Sequence, residues 1–276
     1  MKLAGRGPSP GRGSPPKLVA TDLDGTIVPP DGVVTDRTVA ALQAVEALGV
    51  PVVFVTGRPP RWMSEVAERT GHTGVAICAN GALLYDLHRE EVVASFPLSV
   101  DVGLDVARRL RSALPDISFA VETHDGFSQE ESYQPRWDIG QASEVADISR
   151  IYRDPVAKLL ARHESLGPDD LLAAAREVVG DLVEMTHSST SGLLEISASG
   201  VSKATTLARV CAERGIDAAD VVAFGDMPND LPMLAWAGRS YAVADAHPDV
   251  LAAVAMVVDP PAYDGVAREL EHLFDL

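Results

Sequence analysis

Two aspartates, Asp22 and Asp24, stand two residues apart directly after a short apolar run, in the sequence KLVATDLDGTIV at positions 17–28. The apolar run predicts a strand buried on both faces, whose carboxyl end lies at the edge where open α/β sheets bind ligands. Because side chains alternate along a strand, both carboxylates point the same way. Gly25 permits a sharp turn that brings backbone N–H groups close to an anion. Two carboxylates beside amide donors need a cation, so the pattern predicts a site for Mg²⁺ and a phosphate group.

A second polar segment ends the apolar run VVFVTGR, where Thr56, Gly57 and Arg58 follow one another. In a parallel sheet this strand would end at the same edge as the Asp22 strand, and the Thr56 hydroxyl with the Gly57 amide would bind a phosphoryl oxygen. The residues alone fit a second interpretation equally well, in which Thr56 caps the helix that follows.

Two later segments offer a cation and further carboxylates. SGVSKATTL places Lys203 near a predicted helix N-terminus, where an ammonium opposes the helix dipole and needs a compensating anion. GDMPND follows the apolar run VVAF and contains Asp226, Asn229 and Asp230. These side chains suit a Mg²⁺ shell, but an aspartate-rich turn explains the segment as well when it is taken in isolation.

Composition narrows the class of partner. The chain has 276 residues, 46% of them hydrophobic, and a formal net charge of −17 with a sequence pI near 4.7. This acidity disfavours nucleic acid and anionic membranes, which need clustered Lys and Arg. No apolar stretch reaches the length of a membrane span, and no signal-peptide core is present. Cys78 and Cys211, the only cysteines, are expected to be buried free thiols, which fits a cytoplasmic protein.

The elements that must position these residues form three blocks. Residues 1–16, rich in Gly, Pro, Ser and Arg, are expected to be a disordered tail. Residues 17–82 and 190–276 alternate buried strands with helices, which predicts a Rossmann-like, doubly wound parallel α/β domain. Residues 83–189 show short alternating strands between helices, typical of an inserted α+β domain with an antiparallel sheet. Within that insert, the segment 127–153 gives no clear element.

The four segments TDLDGT, VTGR, GVSK and GDMPND resemble, in this order, the motifs of the haloacid-dehalogenase-like (HAD) phosphohydrolases. The resemblance implies that Asp22 is the nucleophile, forming an aspartyl-phosphate, and that Asp24 is the general acid and base. It implies that Mg²⁺ is held by Asp22, the backbone carbonyl of Asp24, and Asp226. The remaining residues would bind the phosphoryl group (Leu23, Thr56, Gly57, Lys203, Asn229) or support the site (Asp230, Arg58, Asn80, Gly81).

The position of the insert, between VTGR and GVSK with NGA at 80–82 at its start, is similar to the Cof-type branch of this family, whose α+β cap closes over the site. Two positions depart from the branch pattern, with Ala204 where Gly is more usual and Asp245 where Asn is more usual. The insert would set specificity, although an ordinary surface or core role is the commoner one for each candidate contact. The candidates in the insert are His124, His163, His187, Arg153, Lys158 and Arg162. Arg58 and Arg61, outside the insert and just after Thr56, are better candidates for a role near the site.

The sequence therefore predicts a Mg²⁺-dependent phosphatase of a small phosphorylated metabolite, such as a sugar phosphate or a phosphorylated cofactor. One alternative is a phosphomutase of the same family, which returns the phosphoryl group to its substrate. A second alternative is a signalling module that is switched by an aspartyl-phosphate. Receiver domains are modules of this kind, but they are much shorter than this chain and lack a second Asp two residues after the phosphorylated one, so this alternative is disfavoured. The expected partner is the substrate alone, and the oligomeric state is left open, a monomer being compatible.

Overall fold

The computed structural model describes residues 14–124, 126–136 and 141–276. Most of the predicted 1–16 tail lies outside the described residues. The strands are β1 (Leu18–Thr21), β2 (Val52–Val55), β3 (Val75–Cys78), β4 (Leu83–Asp86), β5 (Glu91–Ser95), β6 (Ser118–Glu122), β7 (Phe127–Gln129), β8 (Lys158–Arg162), β9 (Val183–Thr186), β10 (Leu193–Ala198), β11 (Val221–Gly225), β12 (Arg239–Val243) and β13 (Met256–Val258). The helices are α1 (Asp36–Ala47), α2 (Ser64–Thr70), α3 (Val100–Ala113), α4 (Ile148–Ile151), α5 (Pro168–Val179), α6 (Lys203–Glu213), α7 (Leu231–Trp236), α8 (Pro248–Ala253) and α9 (Gly265–Phe274).

The larger of two sheets has eight strands in the order β13-β12-β11-β1-β2-β3-β4-β5. The strands from β13 to β3 run parallel, with β1 between β11 and β2, in a register that pairs Val19 with both Val222 and Val52. Every residue of β1 is buried, as a parallel strand covered on both faces requires. The predicted doubly wound α/β fold is confirmed.

Side-chain caps fix where two of the helices begin. The Thr35 hydroxyl accepts a hydrogen bond from the Thr38 backbone N–H at the start of α1. Ser202 and Thr205 form a reciprocal capping box at the start of α6. Each cap satisfies a backbone N–H that the first helical turn leaves unpaired. The second cap matters for function, because Lys203 is the first residue of α6.

The smaller sheet is antiparallel, with the strand order β7-β6-β8-β10-β9. Apolar residues of α3 and α5 join those of β6, β8 and β10 in one buried cluster, separate from the cluster around the larger sheet. This arrangement agrees with the α+β character predicted for the insert. The segment 127–153, for which no element is predicted, contributes β7 and α4.

Two predicted placements are wrong. Residues 83–95 were expected in the insert, but β4 and β5 extend the larger sheet as an antiparallel hairpin at its edge. β5 alternates between exposed and half-buried residues because only one of its faces is covered, so it reads like a strand of a separate antiparallel sheet. Residues 190–198 were expected in the parallel domain, but β10 pairs antiparallel with β8 and β9. β10 is buried along nearly its whole length and so lacks alternation.

Both cysteines lie where the sequence suggests, Cys78 in β3 and Cys211 in α6, buried and free. Burial raises the pKa of the Cys78 thiol to about 12, so this sulfur stays protonated and unreactive. None of the helices in the described ranges is both long and apolar enough to cross a membrane.

Candidate active site

The centre of the site is a buried ammonium between two carboxylates. Lys203 Nζ donates to Asp22 Oδ1 and to Asp230 Oδ1, each at 2.6 Å. Asp22 follows β1, Asp230 precedes α7, and Lys203 opens α6, so three separate elements converge here. Lys203 is only 1% exposed. Its two carboxylate partners supply the compensating charge that an ammonium at a helix N-terminus needs.

Asp230 acts as an anchor for this arrangement. Its Oδ2 accepts hydrogen bonds from the backbone N–H groups of Asp226 and Met227, both at 3.0 Å, while its Oδ1 accepts from Lys203. A carboxylate engaged on both oxygens holds the loop after β11 and the ammonium in one geometry. Asp230 therefore fits the supporting role predicted for it better than that of a ligand.

Asp226 brings a third carboxylate to the cluster from the end of β11. Oxygen atoms of Asp22, Asp226 and Asp230 lie within 4.8 Å of one another. Thr26 Oγ1 donates to Asp226 Oδ1 at 3.1 Å. Gly25 has a left-handed φ of +81°, and a Cβ there would lie 2.2 Å from Asp226 Oδ2. Only glycine allows the loop after β1 to approach Asp226 this closely.

The carboxylates raise each other's pKa. Burial, followed by the charge of Asp230, raises the pKa of Asp22 to about 7, and Lys203 opposes this shift. Burial, followed by the charges of Asp22 and Asp230, raises the pKa of Asp226 to about 9. Burial disfavours the Lys203 ammonium, but Asp22 and Asp230 raise its pKa above the usual value. Three carboxylates against one ammonium leave uncompensated negative charge, and hard oxygen donors in this number suit Mg²⁺.

Asp24 lies on the open side of the site, its side chain 58% exposed. Arg58 binds its carboxylate with two hydrogen bonds, from Nε at 2.8 Å and from Nη2 at 2.5 Å. The carbonyl of Leu23 accepts from the N–H groups of Ile27 and Val28, at 2.9 and 2.8 Å, which closes the loop that carries Asp24. Leu23 is fully buried, so its side chain is not available to a ligand.

Thr56 ends β2 beside this loop and is 1% exposed. Its hydroxyl accepts from the Arg58 backbone N–H at 3.0 Å, a local turn that is one of the two interpretations offered by the sequence. Thr56, Gly57 and Arg58 nevertheless line the same cavity as Asp22 and Asp24. The hydroxyl proton of Thr56 is available to a ligand, since the turn uses only its oxygen as acceptor.

Asn80 and Gly81 connect the β2 loop to the start of α6. Asn80 has a left-handed backbone conformation (φ 56°, ψ 30°). Its backbone N–H donates to the Thr56 carbonyl at 3.0 Å, and its side-chain Oδ1 accepts a hydrogen bond from Asn229 Nδ2 at 3.0 Å. A Cβ on Gly81 would lie 2.3 Å from the Ser202 carbonyl oxygen, so this glycine lets α6 approach and sets the position of Lys203. These residues support the site instead of lining its reactive centre.

A cavity of about 350 Å³ opens in front of Asp22 and is lined by both sheets. From the smaller sheet, Lys158 Nζ donates to Glu195 Oε1 at 2.7 Å and to the Gly57 carbonyl at 2.8 Å. Ser188 Oγ donates to the other oxygen of Glu195 at 2.5 Å. Burial by itself would raise the pKa of Glu195, but the nearby Lys158 ammonium outweighs this effect and holds that pKa below its usual range. The cavity therefore has a charged pair opposite the aspartates and an apolar wall that includes Phe127, Tyr133, Leu160 and Leu193.

Of these cavity residues from the smaller sheet, Lys158 is a candidate predicted from the sequence, whereas Glu195, Ser188 and Glu122 are not. The signal for Glu195 is a carboxylate inside the apolar run GLLEIS, because a buried acid needs a partner. Glu122 at the end of β6 forms an ion pair with Arg61 at 2.5 Å, which joins the two sheets at the cavity rim.

The other residues proposed in the insert do not reach the cavity lining. Arg153 is an exposed partner of Glu144, and His163 Nε2 lies 3.0 Å from the Pro115 carbonyl. Arg162 is buried with its guanidinium over the Tyr133 ring, and His187 is paired with Asp169. His124 is likewise absent from the lining.

Comparisons with known proteins show which family and fold this chain resembles. A family model described as haloacid dehalogenase-like hydrolase matches residues 19–270. YxeH of Bacillus subtilis is 30% identical, over 93% of this chain and 98% of that protein. The 5-amino-6-(5-phospho-D-ribitylamino)uracil phosphatase YcsE of the same bacterium is 27% identical, over 93% of this chain and 95% of that protein. The crystal structure of SMU.1108c from Streptococcus mutans has the same fold, with a TM-score of 0.80 at 18% identity, covering 94% of this chain and 99% of the other. The chain belongs to the haloacid dehalogenase-like hydrolase family.

Proposed function

We propose that this protein is a Mg²⁺-dependent phosphatase that hydrolyses a small phosphorylated metabolite through an aspartyl-phosphate on Asp22. The observation that carries the proposal is the position of Asp22, buried at the end of β1, bonded to Lys203 and facing a cavity large enough for a metabolite. Family membership and the named phosphatase activity of YcsE support the same reaction class.

The first step is attack of an Asp22 carboxylate oxygen on the substrate phosphorus, which forms the aspartyl-phosphate and breaks the bond to the leaving oxygen. Lys203 keeps Asp22 oriented and balances charge on the phosphoryl oxygens. The Thr56 hydroxyl and the backbone N–H groups of Leu23 and Gly57 are the hydrogen-bond donors for the other oxygens. Asn229, which lines the cavity, would complete this donor set.

Asp24 is the proton carrier in this account. As a carboxylic acid it protonates the leaving oxygen, and as a carboxylate it then takes a proton from the water that hydrolyses the aspartyl-phosphate. In the structure Asp24 is bound by Arg58 through two hydrogen bonds. Arg58 must therefore release Asp24 when substrate enters, and the guanidinium is then free to bind the substrate.

Asp22, Asp226 and the backbone carbonyl of Asp24 would hold Mg²⁺. The fit follows from the donor set, because the buried carboxylates carry more negative charge than Lys203 balances. When bound, Mg²⁺ neutralises charge on the phosphoryl group and keeps Asp22 ionised.

The smaller sheet with its helices is proposed to be the cap over this site, and its contacts with the β2 loop favour a closed arrangement. Lys158 reaches across to the Gly57 carbonyl, and Glu122 pairs with Arg61. Both contacts lie at the cavity, so the leaving group of the substrate is enclosed between the two sheets. A cavity of about 350 Å³ suits a metabolite rather than a phosphorylated protein.

The test replaces the nucleophile. Asp22→Asn keeps the size of the side chain and removes the nucleophilic oxygen, so we expect phosphate release from a panel of sugar, nucleotide and vitamin phosphates to fall by about 10⁴-fold or more. The matched control is Asp181→Asn, the same change at an exposed aspartate outside the cavity lining, which should keep full activity. Phosphate release near the wild-type rate by folded Asp22→Asn would refute the proposal.

A further inference from the structure

A second cluster of side chains that could bind a metal lies at the seam between the two sheets, outside the lining of the catalytic cavity. Asp169 lies in the first turn of α5, His187 follows β9, and His247 precedes α8. His187 Nε2 is 2.8 Å from Asp169 Oδ1, and His247 Nε2 is 3.4 Å from Asp169 Oδ2. The imidazole rings meet at 70°, with their centroids 5.7 Å apart. One carboxylate is thus shared by two imidazoles that come from opposite sides of the seam.

The donor set is of the kind that binds borderline transition metals. Two imidazole nitrogens with one carboxylate suit Zn²⁺, Co²⁺ or Ni²⁺, whereas Mg²⁺ prefers oxygen ligands alone. A tetrahedral zinc ion with ligands at 2.0–2.2 Å places neighbouring donor atoms about 3.4 Å apart. In the structure the donor atoms of all three residues already lie within 4.8 Å of one another. Asp169 is exposed and free to adjust, whereas the His187 side chain is only 1% exposed.

We propose that Asp169, His187 and His247 form a transition-metal site that joins the smaller sheet to the larger one. Binding needs no net loss of protons, because each neutral imidazole moves its single proton from Nε2 to Nδ1. In the metal-free structure His247 Nδ1 accepts a hydrogen bond from the Asp249 backbone N–H at 3.3 Å, and this cap is given up when the proton moves to Nδ1. Asp249 Oδ2, 3.9 Å away on an exposed side chain, can then move in to accept that proton. A carboxylate behind a metal-bound histidine is the usual way of fixing that tautomer.

For His187 the proton would point into the protein, because its Nδ1 is buried and has no hydrogen-bond partner among the residues that the structure describes. An unpaired N–H weakens binding, so this site will hold its metal less tightly than a closed structural zinc site. We therefore expect reversible binding that responds to the metal concentration.

The seam site is also connected to the catalytic loop. The His247 backbone N–H donates to the Asp226 carbonyl at 2.8 Å, so the segment that carries one metal ligand also supports the loop after β11. A metal held by His247 on one side and by Asp169 and His187 on the other would resist separation of the two sheets. When the seam site is filled, we expect the folded protein to be more stable against unfolding and the turnover of substrate to be slower.

The test is a titration of the full chain with Co²⁺ in the presence of excess Mg²⁺, followed by the visible d–d absorption of four-coordinate cobalt. We expect one equivalent of Co²⁺ per chain to produce the band. His187→Gln and His247→Gln should each weaken binding by about 100-fold, as for loss of a metal ligand or its support. The matched control is His163→Gln, because His163 lies next to the smaller sheet but outside the cluster. This variant should bind Co²⁺ as tightly as the wild-type protein does.

Two outcomes would overturn the proposal. One is a titration with no band. The other is a band that both histidine variants retain while Asp226→Asn loses it, since the cobalt would then occupy the acidic cluster. Because His187 is buried, circular dichroism must show each variant to be folded. Asp169→Asn, at an exposed position, provides the same test without disturbing the interior and should also weaken Co²⁺ binding.

Discussion

At the scale of single residues, the site is governed by an excess of buried negative charge. Asp22, Asp226 and Asp230 face one ammonium, Lys203, and two of the three carboxylates have raised pKa values as a result. Such a cluster is costly in a low-dielectric interior unless a cation or protons neutralise it. The protein thus gives up stability at the position where it would bind Mg²⁺ and phosphate.

This charge excess predicts how stability changes with pH. The pKa of an aspartate in the unfolded chain is about 3.9, whereas burial and the neighbouring carboxylates raise the pKa of Asp22 to about 7 and that of Asp226 to about 9 in the folded protein. Between these values the folded state holds protons that the unfolded state has lost, so the stability of the metal-free protein falls as pH rises. Mg²⁺ would bind the ionised carboxylates, so we expect its stabilising effect to grow over the same interval.

Thermal melting with Mg²⁺ and with EDTA, from about pH 5 to about pH 9, measures this difference. We expect the Tm difference between the two conditions to be small at the acid end and largest at the alkaline end. Asp226→Asn should remove most of the difference. A Mg²⁺ effect that is constant across the range would contradict the charge account.

Gly25 offers a second test at the residue scale. Gly25→Ala would bring a Cβ to 2.2 Å from Asp226 Oδ2, so the carboxylate must move, and we expect kcat/KM to fall by about 100-fold. Gly32→Ala is the matched control, because Gly32 has the same φ of +81° and a Cβ there meets no atom within 4 Å. It should cost about 1 kcal/mol of stability and leave activity intact. Equal losses of activity in the two variants would mean that backbone strain, not displacement of Asp226, is responsible.

At the level of strands and helices, a strand covered on both faces is predictable from its sequence, whereas a strand covered on one face is easily assigned to the wrong sheet. β1, β2, β3 and β11 are buried on both faces and read as continuous apolar runs, so their ends, with Asp22, Thr56, Asn80 and Asp226, were located correctly. β5 and β10 break this rule in opposite directions. β5 lies at a half-covered edge of the larger sheet, and β10 is buried between helices and the catalytic cavity. The hydrophobic periodicity of a strand indicates how many of its faces are buried, but it does not indicate to which sheet the strand belongs.

The Lys158–Glu195 pair, which joins β8 to β10, gives a prediction at this scale. Lys158→Met leaves the buried Glu195 without its cation, and we expect a loss of about 3–5 kcal/mol in the free energy of unfolding by urea. The double variant Lys158→Met/Glu195→Gln carries no unpaired charge and should recover part of that loss.

The matched control for this pair is Arg136→Met. Arg136 pairs with Glu164 at 2.9 Å, but both side chains are at least half exposed, so its loss should cost less than about 1 kcal/mol. If Lys158→Met were no more destabilising than Arg136→Met, the buried pair would not hold the cavity wall together.

At the level of the whole molecule, the candidate site is assembled from two sheets. The residues contributed by the larger sheet can be predicted from the sequence more completely than those contributed by the smaller one. The half from the larger sheet follows from four short segments, each at a strand end or a helix start, and parallel topology brings such ends to one edge. The half from the smaller sheet depends on which residues of β8, β10 and their loops face the cavity. That choice is set by the packing of one sheet over the other. The acid in GLLEIS indicates a buried charge but not the cavity that it faces, and no local pattern places Ser188 there.

Trapping the acyl phosphate tests whether Asp22 becomes phosphorylated during turnover. Asp24→Asn lacks the base for the second step and should accumulate the intermediate when given Mg²⁺ and p-nitrophenyl phosphate. Acid quenching and borohydride reduction convert a phosphorylated aspartate to homoserine, which peptide mass spectrometry locates. We expect homoserine at position 22 alone, and none when EDTA replaces Mg²⁺ or when Asp22→Asn is added. Turnover of substrate with no modified residue, or with the modification at another carboxylate, would rule out Asp22 as the nucleophile.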